Sequence, residues 1–323
     1  MKKIAVLTSG GDAPGMNAAI RAVVKSCLHY GIVPIGIRDG FDGLINGWYE
    51  EMDYTSVNNI IHLGGTILGS ARSEAFRTKE GRAKVVAHFQ QHGIEGLVVI
   101  GGDGSFTGAH VLSQEMELKV IGLPGTIDND LYGTEATIGY DTALNTVVQA
   151  VDKIRDTASS HNRIFFVEVM GRDAGFLALN SAIAVGAESV LIPETVTHID
   201  QLVADIKQQN KGKRSSIIIV AEGDDAGGAV DIMKQVRPHF PNYDLRTTVL
   251  GHIQRGGTPT YFDRQLATRA GVKAVELLRE GKSHVMVGIR ADEMVTVPLK
   301  DAIEKQAIPD VAKEILIDVL RTK

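Results

Sequence analysis

Gly96-Leu97-Val98-Val99-Ile100-Gly101-Gly102-Asp103-Gly104-Ser105 joins a short apolar run to a glycine-rich turn. A run of this length bounded by such a turn predicts a strand buried on both faces, with the turn leaving its carboxyl end and a helix following. The chain begins the same way: residues 4–7 are apolar and run into Thr8-Ser9-Gly10-Gly11-Asp12-Ala13-Pro14-Gly15, again ahead of a helical pattern. Further Ile/Val-rich runs lie at 32–37, 119–123, 164–169, 190–192 and 217–220. Between them Met16, Ile20, Val23, Val24, Cys27 and Leu28 keep a helical spacing up to Gly31, as do Leu144, Val147, Val148, Val151 and Ile154. Buried strands linked by amphipathic helices predict an α/β fold of mostly parallel, doubly wound sheets with helices on both faces. At 323 residues the chain exceeds the size at which one core keeps growing, so two units are expected.

The bulk properties exclude several classes. A formal net charge of -5 disfavours a nucleic-acid backbone as partner. The single cysteine, Cys27, excludes an intramolecular disulfide and falls on the apolar side of its helix, where a small buried hydrophobe is expected. Lys2-Lys3 precedes an apolar run that ends at Thr8, and no apolar run approaches the ~20 residues needed to span a bilayer. The expectation is a soluble, cytoplasmic protein that binds neither nucleic acid nor membrane.

Parallel sheets bind ligands beyond the carboxyl ends of their strands, where both glycine-rich loops fall. Each loop offers free amides and a positive helix end to an anion. Asp103 stands where those amides would welcome a phosphate, and a carboxylate there repels phosphate unless a divalent cation lies between them, which implies magnesium. Pro124-Gly125-Thr126-Ile127-Asp128-Asn129-Asp130 adds more carboxylates; if it leaves its strand still extended, Thr126, Asp128 and Asp130 face one side, toward a substrate. Guanidinium groups able to neutralise phosphate sit beside glycines: Arg72 in Gly69-Ser70-Ala71-Arg72-Ser73, Arg172 after Met170-Gly171, and Arg255 with His252 in Gly251-His252-Ile253-Gln254-Arg255-Gly256-Gly257. Arg163 opens a strand and Arg246 precedes another. Gly281-Lys282-Ser283 mimics the end of a Walker loop, but Glu276 stands where the pattern needs glycine, in a helix beginning near Thr258-Pro259. No His-Glu-x-x-His or paired Cys-x-x-Cys supports a zinc site.

Residues 8–17, 101–105, 124–130, 170–172 and 251–257, in this order, resemble the bacterial 6-phosphofructokinases over nearly the whole chain. The resemblance implies transfer of the ATP γ-phosphoryl group to the 1-hydroxyl of fructose 6-phosphate in two similar domains. These are expected at 1–139 plus 252–305, taking ATP and magnesium, and 140–251 plus 306–323, taking the sugar phosphate. By the resemblance Asp128 takes the hydroxyl proton, Asp103 carries Mg²⁺ and Asp130 lies near the metal. Gly11, Arg72, Ser73, Gly102, Gly104 and Ser105 map to the ATP site. Thr126, Ile127, Met170, Gly171, Arg172, Glu222, His252, Ile253, Gln254 and Arg255 map to the sugar phosphate, with Arg163 and Arg246 reaching it from a neighbouring subunit of a homotetramer.

The family's cleft for ADP or phosphoenolpyruvate as effectors maps to Arg21, Lys25, Tyr54, Asn59, Arg155, Gly186, Glu188, Lys211 and Lys213. Tyr54 and Asn59 depart from residues often Arg and Asp, and Phe176 replaces a common Asp, so weaker control is expected. Pyrophosphate-dependent relatives typically carry Asp where Gly104 stands and Lys where Gly125 stands; glycine at both favours ATP. A Gly-Gly-Asp-Gly loop also marks kinases of dinucleotides and diacylglycerol, which lack the 126–130 and 252–255 partners. A two-domain sugar-binding sensor would need neither Asp103 nor Asp128.

Overall fold

The computed structural model describes residues 1–71, 73–158, 163–209 and 215–320. The chain forms two compact units, one of Met1–Ile127, Leu131–Thr142 and Arg255–Ala307, the other of Asp128–Asp130, Ala143–Gln254 and Ile308–Lys323. In chain order the elements are β1 (Lys3–Thr8), α1 (Met16–His29), β2 (Val33–Ile37), α2 (Gly40–Asn46), β3 (Tyr49–Glu51), α3 (Lys79–His92), β4 (Gly96–Gly101), α4 (Asp103–Glu115) and β5 (Lys119–Pro124). Then follow α5 (Tyr140–Ala158), β6 (Arg163–Val169), α6 (Phe176–Val185), β7 (Ser189–Leu191), α7 (Ile199–Gln209), β8 (Ser215–Ala221), α8 (Ala229–Val236) and β9 (Asp244–Val249). The chain closes with α9 (Tyr261–Arg279), β10 (Val285–Arg290), β11 (Glu293–Pro298), α10 (Leu299–Glu304) and α11 (Glu314–Leu320).

The first unit holds a seven-stranded sheet in the order β11-β10-β5-β4-β1-β2-β3. Its five inner strands run parallel, and β3 and β11 pair antiparallel at the edges. Ala5, Leu7, Leu97, Val99 and Val120 pack with Phe41, Leu44, Val85, Phe89, Phe106, Leu112 and Leu299 from α2, α3, α4 and α10. The alternate residues Ile4, Val6, Val98, Ile100, Ile121 and Leu123 are as deeply buried toward the opposite face, where α1 and α9 pack on each other and on the sheet. Burial of both parities is why these strands read as unbroken apolar runs. The chain leaves β1 toward β2 on one side and β4 toward β5 on the other, which makes the β1–β4 pair the switch point of the sheet.

The second unit holds a parallel four-stranded sheet in the order β7-β8-β6-β9. Ile164, Phe166, Ile218 and Val220 pack with Leu202, Ile206, Ile232, Val236 and Phe240. Cys27 is fully buried and burial pushes its thiol up to about 12, as suits a hydrophobe. No helix among the described residues is long and apolar enough to cross a membrane.

Four strands were not legible as apolar runs. β3 is three residues of Tyr-Glu-Glu, β9 and β11 are edge strands with polar outer faces, and β10 is interrupted by Gly288. Arg246 therefore lies inside β9 rather than ahead of a strand. Helix α9 starts at Tyr261, not near Thr258-Pro259, because the Thr260 side chain caps it by accepting the Asp263 N–H.

Asp263 is wholly buried, and burial, reinforced by Asp141, outweighs its hydrogen bonds and pushes its carboxyl up to about 6. The folded chain therefore keeps a proton here that the unfolded chain has released, so the stability tied to this proton is present below the unfolded pKa of about 4 and is lost as pH rises through about 6. Relative to wild type, Asp263→Asn should become more favourable as pH rises from about 4 to about 7 in denaturant titrations. A stability difference that stays constant over that range would contradict the raised proton affinity.

Candidate active site

In the first unit the loops after β1 and β4 touch. The Ser9 N–H donates to the Ile100 carbonyl at 3.0 Å, and a side chain at Gly101 would meet the Ser9 carbonyl and Ser105 Oγ, each at 2.5 Å. Ser70 Oγ donates to the Gly10 carbonyl at 2.6 Å, which fastens residues 69–71 to the glycine loop. Thr8 Oγ1 donates to the Gly69 carbonyl at 2.7 Å, and Asn17 Nδ2 donates to the carbonyls of Leu63 and Gly64 while its Oδ1 accepts from the Ile67 N–H. Ser73 Oγ donates to Asp42 at 3.1 Å; Arg72 lies outside the described residues. The structure thus brings Gly11, Ser73, Gly102, Asp103, Gly104 and Ser105 onto one end of one sheet. Thr126 joins them, since a side chain at Gly102 would lie 3.9 Å from its Cβ.

Helix α4 begins at Asp103 with Gly102 as its cap and no side-chain cap bond, so its first turn is open to an anion. Asp103 is exposed there, and Gly104 beside it faces open space. The described residues hold no cluster of three or more His, Cys, Asp or Glu that could cage a metal. One exposed carboxylate beside free amides fits magnesium, which is held by one or two carboxylates with phosphate oxygens and water.

The strand period expected through Thr126, Asp128 and Asp130 stops early. Residues 127–128 bend and Asn129 adopts a left-handed φ of 57°, so the alternation does not run on to Asp130. The chain also changes unit between Ile127 and Asp128. Ile127 is wholly buried, so it anchors the backbone there.

In the second unit Asp128, 2% exposed, is ion-paired to Arg172 Nε at 3.5 Å. Arg172 itself sits at a left-handed φ of 52°, an uncommon state for a residue with a Cβ. Glu222 Oε1 accepts the N–H groups of Gly171 at 3.3 Å and Arg172 at 2.8 Å and holds that turn. Gln254, also buried, accepts the Met170 N–H at 3.3 Å and donates to the Gly251 carbonyl at 3.0 Å. Asp128, Met170, Gly171, Arg172, Glu222 and Gln254 are therefore one constellation, while His252 and Ile253 are exposed on the same short helix as Gln254. Arg255 belongs to the first unit, where its guanidinium packs against Gly11 and donates to the Asp12 carbonyl at 3.4 Å.

Arg163 and Arg246 do not join that constellation. Arg163 opens β6, whereas Met170 follows its other end, about 20 Å away at strand rise. Both arginines bind Asp244, Arg163 Nε at 3.2 Å and Arg246 Nε at 2.9 Å. Desolvation would raise the Asp244 carboxyl, but Arg246 and then Arg163 outweigh it and hold it below its ordinary range.

Of the residues mapped to an effector cleft, Arg21 and Lys25 share a face of α1, and Tyr54 and Asn59 lie in the loop after β3. In the second unit Arg155 donates to the carbonyls of Val185 and Gly186 at 2.6 and 3.2 Å, and the buried Glu188 accepts the Ile217 N–H at 2.7 Å. A cavity of about 40 Å³ beside Gly186 and Glu188 is far too small for a nucleotide. Lys211 and Lys213 lie outside the described residues. Residues that sequence reasoning gave no role are Asn17, Ser70 and Asp263. The first two bind backbone across a loop, which leaves no sequence signal, whereas Thr260-x-x-Asp263 is a legible cap.

A phosphofructokinase family model matches residues 3–278. The chain is 54% identical over 323 residues to ATP-dependent 6-phosphofructokinase 2 of Bacteroides thetaiotaomicron, covering 98% of this chain and 99% of the relative. It is 56% identical over 311 residues to ATP-dependent 6-phosphofructokinase of Natranaerobius thermophilus, covering 96% of each. A solved structure of phosphofructokinase from Saccharomyces cerevisiae superposes with a TM-score of 0.90 at 39% identity; the match covers 94% of this chain and 45% of the yeast one. With the glycine loops at the switch point and the Met170–Arg172 turn in place, these similarities over nearly its full length mean that the chain belongs to the phosphofructokinase family.

Proposed function

We propose that this chain transfers the γ-phosphoryl group of ATP to the 1-hydroxyl of fructose 6-phosphate, giving fructose 1,6-bisphosphate and ADP, as a cytoplasmic glycolytic enzyme. The first unit takes the nucleotide and the second the sugar phosphate. The observation that carries this reading is the open first turn of α4 at the switch point, with one exposed carboxylate, Asp103, among amides suited to phosphate. The names of the relatives, both ATP-dependent 6-phosphofructokinases, support the same donor and acceptor.

ATP rather than pyrophosphate fits the two glycines. Gly104 faces open space, so the nucleotide has room. A side chain at Gly125 would meet Ile100 at 3.0 Å, Met16 at 3.1 Å and the Gly101 backbone N at 3.4 Å, tight surroundings in which glycine fits without any shift.

Phosphoryl transfer through a loose transition state asks the protein for placement and charge neutralisation more than covalent help. Gly11, Ser73, Gly102, Gly104 and Ser105 approach the nucleotide, and Asp103 would hold Mg²⁺ against its phosphates. When bound, Mg²⁺ supplies positive charge to the oxygens of the transferring group. Arg172 neutralises the same charge, with Arg72 assigned to bridge toward the transferred phosphate. Asp128 takes the sugar hydroxyl proton late in the transfer, with Arg172 Nε paired to it at 3.5 Å. By the family resemblance Thr126, Met170, Gly171, Glu222, His252 and Arg255 are assigned to the sugar phosphate and Asp130 to the vicinity of the metal. Arg163 and Arg246, bundled on Asp244 at the far end of their strands, serve the sugar phosphate of a neighbouring subunit in a homotetramer. ADP or phosphoenolpyruvate as effectors would meet Arg21, Lys25, Tyr54, Asn59, Arg155, Gly186, Glu188, Lys211 and Lys213, with control weakened at Tyr54 and Asn59.

A coupled assay should show fructose 1,6-bisphosphate formed with ATP and Mg²⁺ and essentially none with pyrophosphate; a preference for pyrophosphate would overturn the donor assignment. Asp128→Ser should cut kcat by about 10²–10⁴-fold with KM values little changed, since only the proton acceptor is lost. A mild loss of kcat would remove Asp128 from the base role. Fructose 6-phosphate kinetics should be near hyperbolic, and sigmoidal curves reversed by ADP and deepened by phosphoenolpyruvate would refute the weakened control.

A further inference from the structure

Asp263 stands outside every role assigned above, yet its carboxylate holds the 137–142 stretch directly, reaches the 255–260 stretch through Thr142, and its Cβ lies beside Gly15 at the end of the glycine loop. It lies in the first turn of α9 and is completely buried. Its Oδ1 accepts the Gly139 N–H at 2.8 Å, and its Oδ2 accepts the Thr142 N–H at 2.8 Å and the Thr142 hydroxyl at 2.5 Å. Thr142 Oγ1 in turn accepts the Thr260 N–H at 3.0 Å, and Thr260 Oγ1 donates to Asp141 at 2.6 Å. The first turns of α5 and α9 thus cap each other, and Asp263 binds amides on both sides of the α5 start.

Each tied segment leads to a residue of the proposed chemistry. The stretch that ends at Gly139 is clipped back to Thr126, whose carbonyl accepts the Thr137 hydroxyl at 2.6 Å. The stretch that ends at Thr260 begins at Arg255, which packs on Gly11. The glycine loop itself ends at Gly15, where a side chain would meet Ile138 at 2.7 Å and the Asp263 Cβ at 3.5 Å. An apolar residue at 263 would strand two buried N–H groups, while an ionised one is disfavoured by its own burial. Asp141 is the charged group that faces it.

We infer that Asp263 is a positioning residue for phosphoryl transfer, whose carboxylate fixes Thr126, the Gly10-Gly11 loop and Arg255 relative to one another through the backbone of Gly139 and Thr142. The inference rests on the phosphoryl-transfer reading above for its kinetic consequence, and on the hydrogen bonds alone for its structural one. It acts through its neighbours and touches no reactant.

The full-length chain carrying Asp263→Asn, Thr142→Val or Thr142→Ser tests this by steady-state kinetics and amide hydrogen exchange. Asp263→Asn and Thr142→Val should lower kcat by about 10- to 100-fold, the cost of sub-ångström misplacement, with a smaller change in KM for ATP. Exchange should rise at 9–17, 137–142 and 255–260 and nowhere else, and Thr142→Ser, which keeps the hydroxyl, should stay within about twofold of wild type on both readouts. Should Asp263→Asn fail to fold, the Thr142 pair decides. Unchanged exchange in those three segments, or a rise spread over the whole chain, overturns the inference. Absence of activity in the wild-type protein would instead sink the phosphoryl-transfer reading, and exchange alone would then judge Asp263.

Discussion

The first unit depends on how closely the loops after β1 and β4 approach at the switch point. The Ser9 N–H reaches the Ile100 carbonyl, and the space beside Gly101 is already filled by Ser9 and Ser105. A side chain at that position would push the two loops apart. Because the strands beneath are parallel and buried on both faces, their carboxyl ends are rigid, and the loops inherit that rigidity. Backbone amides can then be aimed at an anion without ordering anything at the moment of binding, which is the physical basis of placement as a catalytic term.

Charge is managed locally in both units. Asp103 is exposed at the positive end of α4, where the helix itself favours a carboxylate and where a cation can still be reached. Asp128 is buried, and Arg172 beside it offsets the cost of removing a carboxylate from water. The unusual backbone of Arg172 is held by Glu222, which accepts two successive amides of the turn. Asp244 does the converse for Arg163 and Arg246, since one carboxylate lets two cations share a small area.

Much of this was legible. The buried strands announce themselves because both faces are apolar, and the glycine loops because phosphate-sized ligands need bare backbone there. β9 is not legible, since an edge strand of Asp-Leu-Arg-Thr-Thr-Val has no apolar period, and the pattern alone puts Arg246 ahead of a strand rather than inside one. The bend at Asn129 was hidden too: an extended Thr-x-Asp-x-Asp and a kinked one have the same letters. Glu222 maps by resemblance to the sugar phosphate, and only the fold reveals that one of its oxygens, Oε1, holds the Arg172 turn.

The sequence by itself determined the α/β class, the positions of the phosphate-suited loops and the identity of the carboxylates and guanidinium groups, because apolar periodicity and glycine are local signals with local physical causes. The tertiary structure alone decided which of those groups meet: that Arg255 packs on Gly11, that Arg163 and Arg246 gather on Asp244 away from Arg172, and that Asp263 clasps the starts of α5 and α9. Such contacts join residues up to hundreds of positions apart. Their geometry is set by how sheets and helices pack, which no stretch of sequence encodes on its own.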